Sequence, residues 1–160
     1  MALGDGVVDP PGIVPQLIEA FETGGYDATL AVAPVADNEV TRRGIVVIEG
    51  GEVTDLLEKP QPDVVASRTA MMGRYVLGAA VFEALRGLGP DASGEVQLTD
   101  ALRRVLDNGG RIAAVPLATG QRRHDIGSPE GYCAAFVEFA LRDPRFGRAL
   151  RDRARALLDG

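Results

Sequence analysis

The sequence predicts an α/β fold: a mixed sheet with flanking helices and a β-hairpin. Apolar residues recur at helical spacing in some segments and form short continuous runs, typical of buried strands, in others. The 160 residues include 20 glycines and 10 prolines, while aromatic residues make up only 5%. This composition favours a chain rich in tight turns over a helical bundle. Two strand-like runs on either side of Gly50-Gly51 predict the hairpin.

The first half of the chain is predicted to contain mostly strands. Five segments have strand patterns: the end of a strand at residues 1–6, and further strands over residues 28–35, 44–49, 52–57 and 69–77. One helix precedes the second of these strands. Its apolar residues recur from Ile13 through Leu17 to Phe21, and Gly24-Gly25 predicts its end.

The second half is predicted to be mainly helical. Helices are predicted over residues 79–88 and 97–107, followed by a strand over residues 111–117. Ser128-Pro129-Glu130 predicts a third helix start, because serine caps a helix, proline suits the first position and an acid suits the first turn. A domain is expected over residues 1–147, and a basic helix over residues 148–160. Asp152 and Asp159 lie among the arginines of this helix, a pattern typical of a solvated face.

Composition and charge restrict the possible partners and location of the chain. The net charge of −6 argues against general binding to nucleic acids or anionic membranes. Because the sequence has neither a signal peptide nor an apolar span of 18 residues, we expect a cytoplasmic protein. Cys133 is the only cysteine, which excludes an internal disulfide. It lies in an apolar helical run, so we expect a buried, inert thiol.

Lys59 is the only lysine among 17 basic residues. An ammonium is a compact point charge on a flexible stem, and it meets phosphate groups in a way that the planar guanidinium does not. The hairpin should return the chain to Gly44, so that the Gly44 amide, Glu58 and Lys59 can face one cleft. Glu58 would accept hydrogen bonds from sugar hydroxyls. An ordinary surface Glu-Lys pair explains the same residues about equally well.

Two aspartates and a glycine are further candidate site residues. Asp5 follows an apolar run, and the carboxyl ends of strands are where open α/β sheets bind ligands, although an ordinary turn aspartate is the favoured interpretation of this residue taken alone. Asp125 precedes the Ser128 cap, a position suited to phosphate and metal chemistry. Two separated aspartates with a lysine suggest Mg²⁺ held partly by substrate phosphates, and His124 is interpreted as structural. Gly73 interrupts a strand, which marks either a close approach of a ligand or of another backbone, or a simple bulge.

These pieces, in this order, resemble bacterial UTP–glucose-1-phosphate uridylyltransferases, also called UDP-glucose pyrophosphorylases. The matching segments are Leu3-Gly4-Asp5, Arg43-Gly44-Ile45-Val46, Glu58-Lys59-Pro60, Met72-Gly73-Arg74-Tyr75-Val76-Leu77, Gly94-Glu95-Val96-Gln97-Leu98-Thr99-Asp100-Ala101 and His124-Asp125-Ile126-Gly127. The similarity extends from the first residues to about Gly147. It implies the C-terminal half of a nucleotide-diphospho-sugar transferase fold.

The resemblance also implies roles for individual residues. Asp5 and Asp125 match the aspartates that hold Mg²⁺. Glu58 matches the glutamate that binds glucose hydroxyls, and Lys59 matches the catalytic lysine that faces the sugar phosphate. Gly44 and the strand from Met71 to Gly73 match walls of the glucose pocket. The implied reaction joins UTP and glucose 1-phosphate to give UDP-glucose and pyrophosphate.

One family motif is not found in the sequence: the glycine-rich loop that holds the nucleotide. We therefore expect the isolated chain to be inactive or weakly active, while still binding a sugar 1-phosphate or UDP-glucose. We also expect it to associate with itself or with a partner that supplies the other half. The alternative is a non-catalytic module that binds a sugar nucleotide or another subunit.

Overall fold

The computed structural model describes residues 1–91 and 94–159. Within them the elements, numbered in chain order, are β1 (Gly6–Asp9), α1 (Ile13–Gly24), β2 (Ala28–Pro34), α2 (Asp37–Val40), β3 (Gly44–Glu49), β4 (Glu52–Glu58), β5 (Thr69–Leu77), α3 (Ala79–Arg86), α4 (Leu98–Asp107), β6 (Ile112–Pro116), β7 (Arg122–Asp125), α5 (Pro129–Arg142) and α6 (Gly147–Leu158). They form two compact units. Unit 1 holds residues 1–3 and 10–122, and unit 2 holds residues 4–9 and the described residues from 123 onward.

The sheet of unit 1 is mixed, as predicted, and it closes on itself. Strand β2 pairs antiparallel with β5 and parallel with β6, while β3 pairs antiparallel with both β4 and β5. The ring is completed where Glu52 of β4 lies opposite Ala113 of β6. The order β2-β5-β3-β4-β6 is therefore a small barrel. Closure is limited to this one pairing, so β4 and β6 are joined only near their first residues.

The core of unit 1 lies between this barrel and helices α3 and α4. Alternate residues of the strands point inward, and Leu30, Leu56 and Ile112 are at most 1% exposed. Helix α4 contributes Leu102, which is fully buried. Burying one such side chain contributes roughly 1.5–3 kcal/mol. This packing fixes the start of α4 beside the strands that carry the candidate site.

Most predicted elements are confirmed, because their local signals are strong. Helix α1 ends at Gly25, which adopts the left-handed conformation that a glycine C-cap favours. The hairpin turns at Gly50 and Gly51, both at positive φ. Strand β5 covers the predicted range Thr69–Leu77. The Ser128 side chain caps α5 by accepting a hydrogen bond from the Gly131 amide at 3.1 Å.

Two expectations about local structure were wrong, and two short elements were not predicted. Asp5 does not end a strand: it lies in a turn, which agrees with the alternative interpretation of this residue, and β1 begins at Gly6 immediately after it. Cys133 is exposed and not buried, because the face of α5 that carries it is turned to solvent. The short elements α2 and β7 were not predicted. Each has only four residues, too few to show a hydrophobic period.

Unit 2 combines the two-stranded sheet β1-β7 with helices α5 and α6. His124 is buried against Phe139, with ring centroids 4.8 Å apart, which agrees with its structural interpretation. The arginines of α6 are exposed, as a solvated basic helix requires. Across the described part of the chain, no helix has the length and apolar character needed to cross a bilayer.

Candidate sugar-phosphate and metal sites

The hairpin brings Glu58 and Lys59 back to Gly44, as its length predicted. Gly44 is the first residue of β3 and lies opposite Glu58, the last residue of β4. The Lys59 amide then donates a hydrogen bond to the Arg43 carbonyl at 3.1 Å, one step beyond the ladder. Two backbone segments thus fix the positions from which the Glu58 and Lys59 side chains project.

Glu58 and Lys59 form a partly exposed pair of opposite charges. The Lys59 Nζ lies 3.5 Å from Glu58 Oε1, with the lysine side chain 58% exposed and the glutamate side chain 28% exposed. The other carboxylate oxygen, Oε2, accepts a hydrogen bond from the Thr99 hydroxyl at 2.6 Å. A carboxylate that accepts hydrogen bonds stands beside a cation that can reach a phosphate.

Gly44 has little space for a side chain. A Cβ atom built on it would overlap the Met71 Cε and lie 3.3 Å from Glu58 Oε2. Met71, on β5, therefore packs directly against the paired residues at the hairpin end. The structure brings Gly44, Glu58, Lys59 and Met71 together in unit 1, with Thr99 added to them.

Gly73 sits in an irregular part of strand β5. The pairing of β2 with β5 shifts register between Leu30 and Val32, opposite this glycine, and Gly73 has a φ of 73°. The nearest atoms to its Cβ position belong to Leu3, at 3.5 Å. The Leu3 amide also donates to the Gly73 carbonyl at 3.0 Å. Both sequence interpretations hold in part, since the strand bulges here and another backbone comes close.

In unit 2, Asp5 and Asp125 are brought together by Arg123. The guanidinium of Arg123 lies 3.0 Å from Asp5 Oδ2 and 3.1 Å from Asp125 Oδ2. The arginine side chain is only 8% exposed, whereas the two aspartates are 51% and 48% exposed. The second oxygen of Asp125 accepts from the Gly127 amide at 3.0 Å. Two carboxylates therefore converge on one positive charge at the surface of the unit.

These carboxylates fit Mg²⁺ in donor type. Magnesium takes oxygen ligands and usually keeps several waters or phosphate oxygens beside one or two carboxylates. Asp5 and Asp125 offer two carboxylates that are about half exposed and that both contact the Arg123 guanidinium. In the described residues, no group of three or more His, Cys, Asp or Glu side chains is placed to hold a metal. The pair thus suits a metal that is completed by substrate and solvent, and it does not form a closed structural site.

Sequence reasoning missed Thr99 and Arg123. Thr99 lies inside a segment that carried the family resemblance, but a threonine in an amphipathic helix has no chemical signal of its own. Arg123 is one of many arginines, so its position between two aspartates appears only in three dimensions. The contact of Thr99 with Glu58 and the contact of Arg123 with Asp5 each join residues more than 40 positions apart in the chain.

Comparison with known proteins places the chain in a family. Residues 4–141 match the family described as nucleotidyl transferase. The chain is 36% identical to a UTP–glucose-1-phosphate uridylyltransferase of Bacillus subtilis (strain 168), over 89% of this chain and 48% of that protein. It is 37% identical to UTP–glucose-1-phosphate uridylyltransferase 2 of Staphylococcus saprophyticus, over 88% of this chain and 50% of that protein.

Solved structures give the same result. A UDP-glucose pyrophosphorylase complexed with UDP-glucose matches with a TM-score of 0.77 and 31% identity, over 89% of this chain and 55% of that one. The fold and the family resemblance predicted from the sequence are therefore confirmed. The chain spans about half the length of the curated relatives it matches.

Proposed function

Because the chain belongs to the nucleotidyl transferase family, we propose that it binds a sugar 1-phosphate and serves the formation of UDP-glucose from UTP and glucose 1-phosphate. The observation that carries this proposal is the Glu58-Lys59 pair at the hairpin end. Its two charges match the two halves of a sugar phosphate, since Glu58 can accept from hydroxyls and Lys59 can neutralise the phosphate. The relatives named as UTP–glucose-1-phosphate uridylyltransferases support the choice of sugar and nucleotide.

The proposed chemistry needs positioning and charge neutralisation. An oxygen of the sugar phosphate attacks the α-phosphorus of UTP, and the bond from that phosphorus to the leaving pyrophosphate breaks. Lys59 would hold the attacking phosphate, and Glu58 would orient the sugar. Gly44, Met71 and Gly73 would supply walls of the sugar pocket. Such transfer gains mainly from holding the reactants in line, so it needs no covalent protein nucleophile.

Asp5 and Asp125 are proposed to hold Mg²⁺ in unit 2. When bound, this ion would supply positive charge that neutralises phosphate oxygens. Arg123 would keep the two carboxylates facing one point, because it contacts both of them.

A non-catalytic interaction module is the second candidate, and exposed apolar residues favour it. Tyr132, Phe136 and Val137 on α5, here named the α5 patch, are 55%, 63% and 52% exposed. Exposed apolar groups of this kind mark interaction surfaces. The proposed occupant is a second copy of the chain.

Titration calorimetry with glucose 1-phosphate tests the sugar-phosphate site. We expect the wild-type chain to bind, and Lys59→Arg to bind at least about 10-fold more weakly, because a planar fork does not replace a point charge at this corner. In a separate titration with Mg²⁺ alone, Asp125→Asn should bind the ion more weakly than the wild type, because one of the two proposed carboxylate ligands in unit 2 is lost. Arg86→Lys is the matched control, since it exchanges one cation for another at an exposed position of α3 that is paired with Glu83.

The proposal fails if the wild type and Lys59→Arg bind alike, or if no binding is detected at millimolar ligand. A pyrophosphate-release assay with UTP, glucose 1-phosphate and Mg²⁺ then separates the two candidate functions. Turnover supports the enzyme. Sugar-phosphate binding without turnover agrees with the low activity expected of the isolated chain, and association through the α5 patch without sugar-phosphate binding supports the module.

A further inference from the structure

Thr99 is a buried polar residue whose hydroxyl is directed at the candidate site. It is 4% exposed and lies in the first turn of α4. Its Oγ1 donates to Glu58 Oε2 at 2.6 Å, across 41 residues of sequence. Hydrogen bonds from a hydroxyl to a carboxylate are short and about twice as strong as those between neutral groups. This contact therefore restrains the carboxylate more firmly than an ordinary surface interaction would.

The hydroxyl of Thr99 does not serve the helix that carries it. A threonine near a helix start often caps the helix by accepting from a backbone amide. In α4 the N-cap residue is Gln97, without a side-chain cap, and Thr99 follows inside the helix. Its neighbours Ala101 and Leu102 are fully buried, so the first turn is anchored by packing. Thr99 thus offers a fixed hydroxyl to a residue on another element.

The two oxygens of Glu58 have different partners, which fixes the plane of the carboxylate. Oε2 is held by Thr99 and Oε1 faces Lys59 Nζ at 3.5 Å. Gly44 packs against this arrangement, because a Cβ there would overlap the Met71 Cε and lie 3.3 Å from Oε2 and 3.5 Å from the Thr99 Oγ1. Rotation of the carboxylate would break the bond to Thr99, and a freely rotating carboxylate would lose entropy on binding a sugar.

We propose that Thr99 is a positioning residue that orients Glu58 toward sugar hydroxyls and so gives the site its preference for a sugar phosphate over bare phosphate. The inference rests on the proposed function, since it assigns to Glu58 the contact with the sugar. Thr99 itself does not touch the ligand. Its effect should therefore fall on recognition of the sugar and leave the phosphate contact of Lys59 unchanged.

The test compares binding of glucose 1-phosphate with binding of inorganic phosphate in four proteins. These are the wild type, Thr99→Val, which removes the hydroxyl at nearly constant shape, Thr99→Ser, which keeps it, and Thr29→Val. Thr29 is the matched control because it is also a buried threonine with one hydrogen bond, to the Leu17 carbonyl at 2.9 Å. Thermal unfolding of each protein monitors folding. If Thr99→Val does not fold, Thr99→Ala removes the same hydroxyl without the branched side chain.

We expect Thr99→Val to bind glucose 1-phosphate roughly 10-fold more weakly, the effect of losing one charge-assisted hydrogen bond. Its affinity for phosphate should be unchanged. Thr99→Ser should restore binding to within about threefold, and Thr29→Val should lower stability without a selective loss. A purely structural role would instead weaken both ligands together, and that result would overturn the inference.

Failure of the inference and failure of the proposed function give different results. If the wild type prefers glucose 1-phosphate and Thr99→Val keeps that preference, Thr99 does not position Glu58 and the proposed function stands. If the wild type binds glucose 1-phosphate no better than phosphate, the site does not recognise a sugar, and both proposals are overturned.

Discussion

Lys59 adopts a left-handed backbone conformation, with φ of 44°, and is the only non-glycine residue with positive φ in the described part of the chain. This conformation costs a residue with a Cβ roughly 1–2 kcal/mol. Strained residues that persist in a fold cluster at functional sites. Here the strain lies at the single lysine, whose side chain pairs with Glu58, so the backbone conformation and the side-chain contact both support Lys59 as a candidate site residue.

Replacing Lys59 by glycine should therefore stabilise the fold relative to alanine. Both variants lose the ammonium, so their difference isolates the backbone term. We expect Lys59→Gly to exceed Lys59→Ala by about 1 kcal/mol in the free energy of unfolding, because glycine adopts positive φ without a steric penalty. Chemical denaturation measures the difference, and neither variant should bind glucose 1-phosphate.

A second pair of variants provides the control for this prediction. Glu49 is the last residue of β3 and has an ordinary strand conformation. The control compares Glu49→Gly with Glu49→Ala. At this position the glycine variant should have the lower free energy of unfolding, by roughly 0.5–1 kcal/mol, since glycine weakens a strand. The same order of stability at both positions would show that the Lys59 backbone is not strained.

For individual residues, the sequence predicted the contact within the hairpin and missed the contact between distant segments of the chain. The approach of Gly44 to Glu58 followed from the hairpin length alone. The contact of Thr99 with Glu58 depends on how α4 packs on the barrel, which no local pattern specifies. The burial expected for Cys133 was wrong because an apolar run shows that a helix is amphipathic or apolar without showing which residues its neighbours cover.

The hairpin is held to the rest of the barrel by a small network around Arg111. Arg111 donates to Glu52 Oε1 at 2.5 Å and to the Gly24 carbonyl at 3.2 Å, and its guanidinium lies 4.6 Å from the Tyr26 ring centroid. The hydrogen bond from Arg111 is the main cause that lowers the pKa of Glu52 below its usual 4.5. Because Glu52 is the β4 residue that lies opposite β6, this ion pair stands at the point where the barrel closes.

The pH dependence of stability should report this contact. A lowered pKa in the folded state means that Glu52 contributes stability above its unfolded pKa, near 4.5. That contribution is lost as the pH falls through the folded value. Glu52→Gln should therefore show a flatter decrease in unfolding free energy below about pH 4.5 than the wild type. The effect should be small and weakened by salt, since both side chains are partly exposed.

Arg111→Gln supplies the control, through a double-mutant cycle of urea unfolding from pH 3 to 7. With the arginine removed, the further change Glu52→Gln should no longer flatten the profile. An equal effect of Glu52→Gln in both backgrounds would mean that the pair does not hold the hairpin.

Elements with their own sequence signals were predicted, whereas relations between elements were not. Gly50-Gly51 predicted a hairpin and Ser128-Pro129 predicted a helix start, and both are found. Barrel closure depends on one bridge between Glu52 and Ala113 and on the Arg111 network, which join residues about 60 apart. Strand β7, Arg122–Asp125, is polar throughout, so its pairing with β1 gives no alternating pattern.

Taken over the whole molecule, the charge and the apolar surface have different consequences for association. A net charge of −6 opposes self-association by mutual repulsion, mostly at low salt. The α5 patch favours it, because Tyr132 and Phe136 stack with ring centroids 6.5 Å apart and remain more than half exposed. Burial of apolar area yields about 25 cal/mol per Å² and is not screened by salt. Raising the salt concentration should therefore strengthen association.

Light scattering at micromolar concentrations tests whether the α5 patch drives self-association. We expect the wild-type mass to rise above 16.9 kDa with concentration, and Phe136→Ser to reduce that rise because it removes the most exposed aromatic ring of the patch. Phe82→Ser is the matched control, since Phe82 on α3 is 50% exposed and belongs to unit 1. If Phe82→Ser reduces association as much as Phe136→Ser, non-specific hydrophobic contacts explain the association and the α5 patch is not its specific site. A wild-type chain that stays at 16.9 kDa at every concentration and salt level would show that its apolar surface does not bind a second copy.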